Sequence, residues 1–141
     1  MQKRETKYYG PLRELAWKRD LACHEAYKVH IGIDAPGRDY VLHHVRHRNG
    51  CPSMDREDNV ISADLREHTE YIHGPKEYEI REKILEYLSC GEVEAWRQRH
   101  REEIEAVEAL KEECRIRAVR KGCTVKKQCL SFRNGAKSAS T

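Results

Sequence analysis

Five of the chain's eight histidines, His43, His44, His47, His68 and His73, fall within the stretch YVLHHVRHRNGCPSMDREDNVISADLREHTEYIHG, Tyr40 to Gly74. Imidazole titrates near neutral pH and also ligates divalent cations, so this crowding points to acid–base chemistry, metal binding or both. The cysteines offer less. Cys23, Cys51, Cys90, Cys114, Cys123 and Cys129 include no CxxC pair and fit no common zinc spacing. The N-terminal MQKRETKYYGPLRELAW has charge but no apolar core, so no secretory leader is expected, and the thiols are expected to be free in a reducing cytoplasm. Cys23 and Cys51 then read as small apolar fillers.

The elements around these histidines can be read from patterning. Gly10-Pro11 opens a helix whose stripe is Leu12, Leu15 and Ala16, fading near Asp20. Residues 21–38 read as irregular, with DAPGRD a turn signal. DYVLHHVR is rich in β-branched and aromatic residues and reads as a strand, HRNGCPSMDRED as a loop, and NVIS as the antiparallel return. A helix follows, with Asp64 and Glu67 at capping-box spacing and Gly74-Pro75 ending it. Pro75 can start another, PKEYEIREKILEYL, with Ile80, Ile84, Leu85 and Leu88 on one face and Cys90-Gly91 at its close. From Glu92 a long helix is predicted to about Arg120, its Val93, Trp96, Val107, Leu110 and Cys114 near heptad positions and His100 and Glu103 interrupting the seam. Trp17 and Trp96 read as core anchors, and His24, His30 and His100 as structural.

Composition bounds the rest. The chain has 141 residues, and 36% of them are charged. Its mean hydropathy is −0.91. The core must therefore be small, and a metal or a partner subunit would help it. Eight Lys or Arg and no acidic residue lie between Arg115 and Thr141, whereas Glu92 to Glu113 carries eight acidic residues against four basic. Such a tail suits a polyanion and equally suits a solvated terminus. No stretch approaches the length of a membrane-spanning apolar segment.

The order strand, loop, strand, helix carries LHHV, an Asn fifteen residues beyond the second His, and a His nine beyond the Asn. This set resembles the HNH, or ββα-metal, endonuclease family, small stand-alone phage or mobile-element type. The likeness covers Tyr40 to Gly74 well. It extends more loosely to LRELAWKRDLAC upstream and EVEAWRQRH downstream. It implies an α+β fold: a ββα-metal (HNH) core with an N-terminal helix and a C-terminal helical extension. The divisions would be a nuclease domain at 1–91 (motif 40–74), a helical arm at 92–121 and a basic tail at 122–141.

The resemblance further implies a metal-dependent endonuclease hydrolysing DNA, or RNA. His44 would be the general base, and Asn59 would hold its ring through the side-chain oxygen. His43, His68 and His73 would ligate one divalent ion, and Arg46 and Arg48, with Lys126 and Lys127 in the tail, would contact phosphate. The structural zinc that many such proteins hold between two CxxC pairs is not expected, because Asp64 and Glu67 replace the downstream pair.

Physical reading of the same residues raises two difficulties. Adjacent strand residues face opposite ways, so His43 and His44 serve one site only if the strand bends or ends there. His68 and His73 are five apart, about 140° around a regular helix, so either the last turn unwinds or Asp64 is the second ligand. Imidazole ligands favour Zn²⁺, Ni²⁺ or Mn²⁺; Asp64 as a ligand would favour Mg²⁺ or Mn²⁺. Two other readings stand beside the nuclease: an inactive HNH-like nucleic-acid-binding module, and a helical assembly protein, a homodimer through residues 92–120.

Overall fold

The computed structural model describes residues 7–120. Helix α1 (Tyr9–Ala22) turns Leu12, Leu15, Ala16 and Arg19 inward, the i, i+3, i+4, i+7 stripe of an amphipathic helix. It packs on a two-stranded antiparallel sheet, β1 (Tyr40–His44) and β2 (Val60–Asp64), in which His43 faces Ile61 and His44 faces Val60. Only Asp64 of β2 is exposed. Its neighbours Val60 to Ala63 are all buried, the polar Ser62 among them.

Residues 21–38 are not irregular throughout. Helix α2 (His24–Ile31) occupies eight of them and buries Tyr27 and Ile31, one turn apart. With only two inward residues and Val29 76% exposed, it has almost no readable periodicity. It ends at Gly32, whose φ of 93° suits glycine, and a Cβ there would lie 2.8 Å from the Tyr71 hydroxyl. That hydroxyl donates to the Ile31 carbonyl at 2.8 Å.

Helices α3 (Glu77–Leu88), α4 (Gly91–Arg99) and α5 (Arg101–Arg120) follow. The single long helix predicted from Glu92 is broken at His100. There the Nδ1–H donates to the Trp96 carbonyl at 2.9 Å, and the ring stacks on Trp96 at 4.2 Å. Val93, Trp96 and Val107 join Leu12, Tyr27, Ile61, Ile72 and Ile84 in one hydrophobic core, so α4 and α5 pack on the rest of the chain. Trp17 is half-buried and stacks face to face on Tyr40 at 5.5 Å.

A buried ion network ties these layers together. Arg19 is fully enclosed and donates to Asp20, to both the carbonyl and carboxylate of Glu57, and to the Val60 carbonyl. Arg97 grips the other Glu57 oxygen at 2.7 Å, and Asp20 accepts from the Ser62 amide and hydroxyl. Arg19, Asp20 and Glu57 are thereby paired and hydrogen-bonded, as a low-dielectric interior requires, while the buried Nη2 of Arg97 has no hydrogen-bond partner among the described residues. The network fixes the chain from Glu57 into β2, directly behind the histidines.

Cys51 is disulfide-bonded, against the expectation of free thiols; Cys23, Cys90 and Cys114 are free. Burial pushes the Cys23 thiol up to about 11, which suits a filler rather than a nucleophile. Among the described residues, no helix is long and apolar enough to cross a membrane. The basic tail, with Lys126 and Lys127, lies outside the described residues.

Candidate metal centre

The helix predicted after β2 is a π-helix, Glu67–Ile72. Its i→i+5 bonding widens each turn by a residue, and the His73 N–H donates to the His68 carbonyl at 3.1 Å. Residues five apart, which diverge on a regular helix, therefore come into line. The turn is closed by Gly74, where a Cβ would sit 2.3 Å from the Glu70 carbonyl oxygen. Pro75 then bars continuation. The capping box expected from Asp64 and Glu67 is not formed: no side-chain cap bond closes the start of this π-turn.

His43, at the end of β1, meets this turn. The His43 ring lies 5.2 Å from that of His68 and 5.0 Å from that of His73, and His68 and His73 are 4.6 Å apart. One ring nitrogen from each comes within 4.8 Å of the others. Nitrogens sharing a tetrahedral ion at the usual bond length are about 3.4 Å apart, so ring rotations of about an ångström suffice. The protonation state also fits. Burial, with the neighbouring imidazoles His68 and His73, depresses His43 to about 3, and burial and His73 lower His68 as well. Both rings are neutral near pH 7 and present lone pairs, the form a metal requires.

Asp64, the alternative ligand, is excluded by register. It faces Tyr40 at the far end of the hairpin, roughly 10 Å along the strand from Ile61, the partner of His43. The all-nitrogen donor set favours Zn²⁺ or Ni²⁺ over Mg²⁺.

His44 sits beside the triad, and both His43 and His44 line one small pocket with Val45, His47, Ile72, His73, Glu77 and Arg81. Strand β1 ends at His44, so the opposed facing of neighbouring strand residues does not separate them. The partner of His44 is not the one expected. Its Nε2 lies 2.8 Å from Oδ1 of Asp55, a fully buried residue in the hairpin loop. Burial by itself would raise the Asp55 carboxyl, but hydrogen bonds from His44, Arg48 and Tyr8 outweigh it and hold the group below the usual carboxylate range. An ionised carboxylate only accepts, so Nε2 carries the hydrogen and Nδ1 is left free.

Asn59 has a different task from holding the His44 ring. Its Oδ1 accepts from the Arg46 N–H at 3.0 Å, while its Nδ2 donates to the carbonyls of Arg46 and Met54 at 3.1 and 2.9 Å. With its oxygen already engaged by backbone, it staples the two ends of the hairpin loop and fixes the chain just beyond His44. Arg48, expected on phosphate, instead holds both Asp55 oxygens at 2.8 and 2.9 Å. Arg46 is exposed and remains open to solvent. His47 is exposed, with its Nδ1 against Asn49.

Sequence reasoning missed four contributors. Asp55 is one of several acids in DREDN, and nothing in the spacing selects it. Tyr8 donates to its other oxygen from the start of α1, 47 residues away. Lys111 of α5 donates to the Asp55 carbonyl at 3.0 Å, so the helical extension braces the loop that orients His44. The fourth, Glu77, was detectable in principle: it lies one turn beyond His73 and accepts from that ring's Nδ1 at 2.9 Å. A carboxylate behind a ligating imidazole fixes its tautomer and raises its basicity. Comparison of the chain with protein-family models, with curated proteins and with solved structures finds no match.

Proposed function

We propose that this protein is a metal-dependent endonuclease of the HNH type, in which β1, β2 and the π-turn constitute a ββα-metal core. The observation that carries the reading is the convergence of His43, His68 and His73 beside a fourth imidazole, His44, whose Nε2 is anchored on Asp55. Three imidazoles alone would describe a storage or structural site. A separately held ring with a free Nδ1 adds a base where an ion would polarise its target.

On this reading His43, His68 and His73 hold one divalent cation, with Zn²⁺, Ni²⁺ and Mn²⁺ the candidates. When bound, such a cation supplies Lewis-acid polarisation of a phosphate and neutralises charge that develops on it. His44 Nδ1 takes a proton from water, and the water oxygen forms a bond to phosphorus. The bond from phosphorus to the 3′ oxygen breaks, leaving a 5′ phosphate and a 3′ oxygen that is protonated by solvent. Asp55 keeps the imidazole in the required tautomer and stabilises the imidazolium that forms, as a carboxylate does for a general-base histidine. Arg46, at the rim, is a candidate for a neighbouring phosphate. The substrate is DNA, with RNA the other polyanion to test, and action in the cytoplasm accords with that target.

The inactive-module reading rested on the five-residue step, and the π geometry supports a complete ligand set instead. The helical-assembly reading needs the apolar residues of 92–120 on a partner, whereas Val93, Trp96 and Val107 are used in the chain's own core. Incubation of supercoiled plasmid, and separately of RNA, with protein and Mn²⁺, Ni²⁺, Zn²⁺ or Mg²⁺ tests the proposal. Cutting is expected with at least one ion, and His44→Ala should slow it roughly 10²–10⁴-fold. Equal products from wild type and His44→Ala, or none with any ion, would overturn it.

A further inference from the structure

Arg81 stands one helical turn beyond Glu77 on α3 and lines the same pocket as His43, His44, His47 and His73. Glutamate four residues before arginine ordinarily pairs with it on a helix surface. Here that pair is not made: Glu77 is turned to His73 at 2.9 Å. Among the described residues, Arg81 has no ion pair or hydrogen bond, and it is exposed while lining the pocket. The other carboxylate near the site, Asp55, is already shared by Arg48, His44 and Tyr8. The pocket thus holds a guanidinium among four imidazoles, with each nearby acid committed elsewhere.

We propose that Arg81 is a substrate-binding residue, its guanidinium holding a non-bridging oxygen of the phosphodiester that enters the histidine pocket. The inference rests on the nuclease reading for its substrate class. The physical ground is charge. A divalent cation on the three histidines, together with Arg81, would give the site positive charge that Glu77, the one acidic lining residue of the pocket, offsets only in part. An anion therefore completes it. A guanidinium is suited to this because its fork presents two parallel N–H groups to a phosphate. Its placement on α3, outside the hairpin and π-turn, gives that helix a role in binding as well as in packing.

The test compares His44→Ala with the double variant His44→Ala, Arg81→Gln, so that binding is read without cutting. A fluorescent single-stranded oligonucleotide is titrated against each protein in Zn²⁺, with zinc stoichiometry measured in parallel. Loss of the contact should weaken binding about tenfold or more and reduce the salt dependence by about one phosphate, with zinc uptake unchanged. Arg81→Lys in the same background should recover part of the loss. Equal affinity of the two proteins would overturn the proposal, as would loss of zinc uptake on changing Arg81, which would make it a support of the metal centre. Failure of the wild type to cut any nucleic acid would sink the nuclease reading alone, because the binding comparison still decides the role of Arg81.

Discussion

The His73 N–H reaches the carbonyl of His68 across five residues, and the two imidazoles lie 4.6 Å apart on the same side of the turn. The π-bond thereby offsets a spacing that a regular helix would make unfavourable for two groups meant to meet. Deleting Thr69 would shorten the spacing to four, about 40° of offset on a regular helix, and zinc uptake should survive. Inserting one alanine after Thr69 lengthens it to six, about 240° around, and uptake should fall sharply. Calorimetric titration with Zn²⁺ checks both, and unimpaired uptake by the insertion variant would show that the π-turn is incidental.

Glu77 fixes the His73 ring from behind. Glu77→Ala should weaken metal affinity by roughly 10–100-fold, the usual cost of losing such a support. Competition with a chromophoric chelator measures this, while melting of the metal-free protein should barely change because Glu77 is half exposed on a helix surface.

Asp55 holds His44, Arg48 and Tyr8 at once. Asp55→Ala should slow cleavage while leaving zinc stoichiometry at one, which separates the base from the ligands. It should also destabilise the fold by roughly 1–3 kcal/mol, since Tyr8 loses its acceptor in the interior while Arg48 can turn toward water. Urea unfolding and single-turnover cleavage report the two effects. Lost zinc binding would mean instead that the loop supports the metal centre.

Stability of the metal-free protein should depend on pH through His43. Its folded-state pKa of about 3 lies below the value of about 6.5 expected in the unfolded chain, because burial and the adjacent imidazoles disfavour the charged ring. Between those values the unfolded state binds more protons, so stability is full above about pH 6.5 and falls as pH drops toward 3. The slope from this one group approaches about 1.4 kcal/mol per pH unit, and His68, shifted in the same direction, adds to it. Urea titrations in chelator at several pH values measure the slope. His43→Gln should flatten it; an unchanged slope would place the proton uptake elsewhere.

Lys111 carries the influence of α5 into the site. Lys111→Met removes its bond to the Asp55 carbonyl but retains most of the stem that packs beside it. The cleavage rate should fall several-fold with zinc uptake intact and stability lowered by about 1 kcal/mol. A rate equal to wild type would show that the loop holds its shape without the helix.

The sequence by itself determined the hairpin and the inward stripe of α1, and it gathered five histidines into one stretch. Those features are local: alternation and β-branching mark strands, apolar spacing marks a helix, and histidines in a short stretch stay close wherever the chain turns between them. The bounds of α2 were not legible, because two buried residues in eight leave no period to read. The break at His100 depended on a ring stacking back on Trp96, which residue order does not show.

Tertiary structure alone decided which groups orient which. The sequence could not choose Asp55 over its acidic neighbours, because the choice is made by Tyr8 and Lys111 arriving from 47 and 56 residues away. Nor could it assign Asn59 to the loop rather than to His44, since one side-chain oxygen serves whichever donor the packed backbone brings to it. The π-turn belongs to the same class. Helical propensity and caps favour the regular helix, and the wider turn persists where closure at Gly74 and the burial of Ile72 against the core hold it in place.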